Sequence, residues 1–132
     1  MQDLLIEATK YTPYIHFQAE AHRLELSGES YPEDTISFYR PVFEWLETYL
    51  KTYPEDALSV VMQISYFNSS SSKALFDLFD MLDQSAADGK AVKVEWRYQA
   101  DDDIALEYGE DFQMDLESLG FELIELEEET DG

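Results

Sequence analysis

The chain is 132 residues long (15.3 kDa) and 45% hydrophobic with 14% aromatic residues, which suits one domain with a sizeable core and argues against a disordered chain. Thirty acids against eight bases give a net charge of −22, a surface that repels phosphate backbones and anionic headgroups, so neither a nucleic acid nor a membrane is an expected partner. No apolar run approaches the ~18 residues that span a bilayer, Met1–Ile6 lacks the basic start of a signal peptide, and without cysteine there is neither disulfide nor thiolate chemistry, so the expected location is the cytoplasm.

Leu4–Glu7 is a short strand candidate, Thr12-Pro13 marks a turn, and Tyr14–Gln18 alternates as a second strand. Ala19–His22 reads as a hairpin connection into a third alternating strand, Arg23–Ser27, which Gly28 is expected to end. Ser30-Tyr31-Pro32-Glu33 has the form of a capping box, with Ser30 accepting from the backbone of Glu33 and Pro32 tolerated in the first turn. Ile36, Tyr39, Val42, Phe43, Leu46, Tyr49 and Leu50 follow at helical spacing and predict one buried stripe. Pro41 is expected to kink that helix or split it in two. Tyr53-Pro54-Glu55-Asp56 closes it.

Ala57–Phe67 is apolar and β-rich, as for a central strand covered on both faces. Asn68 and four serines precede a helix with the stripe Leu75, Leu78, Phe79 and Leu82, which Asp88-Gly89 terminates. Ala91–Tyr98 alternates as a strand with one wet face. Asp101-Asp102-Asp103 suits a third helix start, because acids favour helix N-termini; its apolar face is Ile104, Tyr108, Phe112 and Leu116. Gly120 leads into a last strand, Phe121–Leu126. Trp45 and Trp96, at helical and alternating spacing, read as core.

This order predicts an α/β fold, a single mixed β-sheet with an N-terminal hairpin and about three helices, its later strands largely parallel through right-handed crossovers. Residues 1–126 form the expected single domain. Fourteen of the thirty acids lie from Asp101 onward with no Lys or Arg among them, and 127–132 reads as an acidic disordered tail.

Enzyme constellations are weak. His16 and His22 have no nucleophile elbow or H-E-x-x-H neighbour, the five glycines form no phosphate loop, and Asp101-Asp102-Asp103 lacks the spacing of a calcium loop. No catalytic residue, metal or cofactor is assigned. The segment Asn68-Ser69-Ser70-Ser71-Ser72-Lys73 is more telling. One serine suffices to cap a helix, yet four follow the most apolar strand, where α/β sheets present their loops. A phosphate on Ser69 or Ser70 would meet free backbone N–H groups and the positive end of the helix dipole, with Asn68, Ser71 and Lys73 placed to support it.

Gly28-Glu29-Ser30-Tyr31-Pro32-Glu33, Phe38-Tyr39-Arg40-Pro41-Val42 with Trp45-Leu46, and Tyr66-Phe67-Asn68-Ser69-Ser70-Ser71-Ser72-Lys73 together resemble the SiaC family of bacterial regulatory phosphoproteins, over nearly the whole chain. The resemblance implies a STAS-like fold with helices mainly on one face of the sheet, and a protein that is not an enzyme. It implies three partners: a Ser/Thr protein kinase, a PP2C-type phosphatase and a diguanylate cyclase. Unphosphorylated, such a protein binds and activates the cyclase, raising cyclic di-GMP and favouring biofilm growth; phosphorylation blocks the binding. By position the resemblance implies Ser69 as the acceptor, where a member of the family carries threonine, with Ser70 as second choice. A STAS-type anti-sigma-factor antagonist that binds a Ser/Thr kinase stays open as the alternative.

Overall fold

A computed structural model describes residues 1–127. Six strands form one sheet in chain order: β1 (Leu4–Ile6), β2 (Tyr14–Gln18), β3 (Arg23–Ser30), β4 (Leu58–Phe67), β5 (Val92–Gln99) and β6 (Gly120–Leu126). The first three run antiparallel and β3 to β6 run parallel. The parallel strands are joined by α1 (Thr35–Thr52), α2 (Ser69–Ala87) and α3 (Asp103–Met114). Each crossover moves one strand in the same direction, so right-handed connections stack all three helices on one face.

That arrangement corrects the expectation for β4. Leu58, Val60, Met62 and Ile64 are buried towards the helices, whereas Ser59 and Ser65 on the opposite face are exposed. The strand is apolar because it is central, not because both faces are covered. Val61 alone is buried on the open side, flanked in register by Glu25 and Glu95.

Gly28 does not end β3. It adopts φ 110°, a conformation open to glycine, and the strand continues to Ser30. Opposite it the pairing slips by one, from Gly28–Ile64 to Glu29–Tyr66, leaving Ser65 as an extra residue in β4. The bulge reverses the alternation, so Tyr66 faces out and Phe67 faces the core.

Ser30 is correspondingly no helix cap. It is the buried last residue of β3, and Asp34 caps α1 instead, its carboxylate accepting from the N–H (3.1 Å) and hydroxyl (2.7 Å) of Ser37. Those bonds hold the Asp34 carboxyl below the usual carboxylate range. Pro41 does not split α1, which runs unbroken from Thr35 to Thr52. Tyr39, Val42, Leu46 and Tyr49 form its buried stripe, and Ile36, expected in the stripe, is 76% exposed. In α3 the stripe is Ala105, Gly109 and Phe112, and Ile104 is likewise exposed. Trp96 sets that register: it is fully buried and its Nε1 donates to the Ala105 carbonyl at 2.9 Å. Trp45 is partly buried and donates to the carbonyl of Gln2. Of the tail expected over 127–132, Glu127 is exposed and the rest lies outside the described residues.

Two positions make these contacts testable. A Cβ on Gly109 would stand 2.6 Å from the Trp96 ring and 2.7 Å from Leu123. Gly109→Ala should therefore lower unfolding free energy by about 1–2 kcal/mol in urea denaturation, overpacking outweighing the helix-propensity gain. Asp83 on α2 accepts the N–H groups of Ser118 and Leu119 at 2.8 Å, and of Glu117 at 3.4 Å, pinning the turn into β6. Its partial burial opposes ionisation, but those three donors outweigh it and hold the carboxyl below its ordinary value. The stabilisation is full above the unfolded carboxyl pKa and is lost as pH falls through the lower folded value. Asp83→Asn should cost about 1–2 kcal/mol at neutral pH, and the difference from wild type should vanish in acid.

Candidate functional site

α2 opens directly where β4 ends. Asn68, with φ −86° and ψ 177°, is its N-cap: the side-chain Oδ1 accepts the Ser71 N–H at 2.9 Å and the backbone carbonyl accepts the Ser72 N–H at 2.9 Å. The N–H of Asn68 in turn donates to the Ser30 carbonyl at 3.2 Å. The N–H groups of Ser69 and Ser70 donate to no group among the described residues, as befits the first turn of a helix.

Helical rotation sends the four serines to four environments. Ser69 is exposed and borders a hollow of about 360 Å³ between α2 and α3, with Phe76, Asp111 and Asp115. Ser70 is exposed on the other side and borders a groove of about 710 Å³ between α1 and α2. Ile36 and Phe43 supply apolar surface there, and Glu33, Glu44, Glu47 and Asp77 make it acidic. Ser71 has no exposure at all, and Ser72 is half-buried. Lys73 lines both depressions, but its ammonium pairs with Asp77 at 3.1 Å, one turn further along the helix.

Of the residues expected to support a phosphate, Asn68 thus shapes the turn, Ser71 lies in the core with its N–H already taken, and Lys73 is engaged elsewhere. What sequence reasoning missed is the pair behind them. Ser30 Oγ lies 2.8 Å from Ser71 Oγ, to which it donates, and 2.6 Å from the Tyr39 hydroxyl. A serine has one hydroxyl proton, so Tyr39 is the donor to Ser30. Burial raises the Tyr39 phenol pKa, and its bond to the Ser30 hydroxyl works against that rise. The signal was present: a tyrosine in a buried helical stripe needs a partner for its hydroxyl.

The histidines are not at this site. His22 lies at the far end of the sheet, its Nδ1 2.7 Å from the Tyr49 hydroxyl and its Nε2 3.9 Å from Asp56. Ten residues of β4 separate that end from Asn68, roughly 30 Å of strand. Among the described residues no three His, Asp or Glu side chains converge as a metal site, and no helix is long and apolar enough to cross a membrane.

A six-stranded sheet layered by helices on one face displays serine hydroxyls at the start of its second helix, and this is the architecture of a family of regulatory phosphoproteins. Residues 6–126 match the model of the SiaC family regulatory phosphoproteins, and the chain belongs to that family. An uncharacterized protein of Pseudomonas aeruginosa (strain UCBPP-PA14) is 33% identical over 115 residues, covering 87% of this chain and 90% of the relative. Solved SiaC of P. aeruginosa superposes with a TM-score of 0.85 at 30% identity, over 97% of this chain and all of the other. A crystal structure of the diguanylate cyclase SiaD in complex with its activator SiaC matches with a TM-score of 0.89 at 31% identity, over 94% of this chain and all of the matched one.

The cap is checked directly. Asn68→Ala should cost about 1 kcal/mol of stability and speed amide exchange at Ser71, while leaving exchange in the α3 core unchanged.

Proposed function

We propose that this chain is a non-catalytic cytoplasmic phosphoprotein that binds and activates a diguanylate cyclase when unphosphorylated, and is switched off by phosphorylation of Ser69. A Ser/Thr kinase would write the mark and a PP2C-type phosphatase remove it. The reading is carried by one observation: the Ser69 hydroxyl stands exposed on the first turn of α2, beside backbone N–H groups that have no acceptor among the described residues. The relation to SiaC, which activates SiaD in the solved complex, supports the choice of partner.

The surroundings suit such a switch. Ile36 (76% exposed) and Phe76 (41% exposed) offer apolar contact on either side of the serines. A phosphate of about −1.5 to −2 charges placed between them must be desolvated when a partner docks, which opposes association without any refolding.

Ser69→Ala should retain activation of the host diguanylate cyclase, read as cyclic di-GMP formed per unit time. Ser69→Asp should lower it at least ~10-fold, the change that about 1.4 kcal/mol of binding produces. Loss with Ser70→Asp alone would move the acceptor to Ser70. Full activation by both aspartate variants would overturn the phosphorylation switch, whereas no activation by wild type, with a sigma-regulating kinase and no cyclase captured from lysate, would favour the antagonist reading.

A further inference from the structure

The three sequence blocks that carry the family resemblance are far apart in the chain, and each sends one residue to the same point. Ser30 comes from the first block, Tyr39 from the second and Ser71 from the third. Their exposures are 0%, 2% and 0%. The hydroxyls form a relay, Tyr39 to Ser30 to Ser71, that joins α1, β3 and α2 inside the core. The backbone closes a ring on it: the Ser30 carbonyl accepts the Asn68 N–H, Asn68 Oδ1 accepts the Ser71 N–H, and Ser71 Oγ accepts from Ser30 Oγ.

We propose that this buried ring determines which serine can be modified, with Ser30 and Tyr39 acting as positioning residues that hold Ser71 inward and thereby present Ser69 and Ser70. The run Ser69–Ser72 is chemically uniform, so a kinase active site cannot select among the four by side-chain identity. Presentation on the folded surface does distinguish them. A modifying enzyme needs a hydroxyl that projects from the surface with free space around it. Ser71 has its oxygen in the core and its N–H bonded to Asn68, so reaching it requires unwinding the first turn of α2. The ring opposes that unwinding from two sides, through the Ser30 side chain and through the Ser30 carbonyl. Tyr39 completes it, because a Ser30 hydroxyl without the phenol would keep an unfilled acceptor position in the core. The same three bonds fix the rotation of the helix, and therefore decide that Ser69 faces α3 while Ser70 faces α1.

The inference rests on the phosphoprotein reading, and the test separates the two. The full chain is expressed in its own host as wild type, Ser30→Ala, Tyr39→Phe and, as a control destabilised far from the ring, Leu82→Ala. The tryptic peptide 52–73 is fragmented to apportion phosphate among the four serines, and amide exchange is measured at Ser71 and Ser72. Wild type should carry phosphate on Ser69 or Ser70 and none on Ser71. Ser30→Ala and Tyr39→Phe should raise the combined share of Ser71 and Ser72, and their exchange rates, about five-fold, the population change that one ordinary net hydrogen bond represents. Leu82→Ala should lower the melting temperature without redistributing phosphate. Unchanged site distribution and exchange in both ring variants would overturn the inference, as would an equal redistribution in Leu82→Ala. Phosphate absent from every serine of wild type would instead overturn the phosphoprotein reading, and the exchange rates would still decide whether the ring holds the turn.

Discussion

A slip of one residue between two parallel strands governs where α2 begins. Without Ser65 as an extra residue, the alternation that buries Met62 and Ile64 would also bury Tyr66 and expose Phe67. With it, Phe67 turns into the core against Tyr108 and Phe112. Ser30 and Phe67 then become register partners at the ends of β3 and β4. The Ser30 carbonyl can reach the Asn68 N–H only from there. The cap, the helix rotation and the display of the serines all follow from that pairing, and Gly28 at positive φ is what lets β3 accommodate it.

The two ends of the sheet divide the tasks. At the end where β4 begins, Lys90 is 6% exposed and donates to the carbonyls of Tyr53 and Asp56, over the ring of Tyr49. Burial lowers the Lys90 pKa and pushes the Tyr49 phenol up to about 12. His22 bonds to the same tyrosine. The Lys90 ammonium there ties the loop before β4 to the end of α2. At the other end all three helices begin, and Ile36, Ser69, Ser70 and Ile104 stand in solvent on or beside their first turns. Exposed Ile36, Tyr66 and Ile104, and the Ser69 and Ser70 N–H groups that have no acceptor among the described residues, stand where the parallel strands finish, which is where open α/β sheets present their binding loops.

The elements were legible in the sequence because period and punctuation agree with the final environment. Val92, Val94 and Trp96 alternate inward, and Leu75, Leu78, Phe79 and Leu82 recur at helical spacing; both patterns are buried as spaced. Asn68 before a serine run is a cap that local chemistry alone can identify. Ser30 was misread for the converse reason. A serine three residues before a glutamate looks like a cap, but the β-bulge opposite Gly28 carries the strand two residues further, and Asp34 outcompetes it. Ile36 and Ile104 fit a helical stripe, yet each lies in the first turn of its helix and is left exposed. Nor could the four serines be distinguished, since their difference lies only in the rotation of α2, which tertiary bonds set.

Net charge decides how a phosphate can act here. The chain already bears −22, and at physiological salt fields between exposed charges fade over about 8 Å. Adding −1.5 to −2 to such a surface changes little at long range. An effect large enough to abolish binding must come from within contact distance, through desolvation or steric exclusion of the dianion. The two exposed hydroxyls border different depressions, Ser69 the one beside α3 and Ser70 the one beside α1. On the proposed function, the serine that carried the mark would also identify the face from which a partner is excluded: a phosphate on Ser69 would block the surface around Phe76, one on Ser70 the acidic groove around Ile36. Because the ring through Ser30 and Tyr39 fixes the rotation of α2, it fixes that choice of face as well.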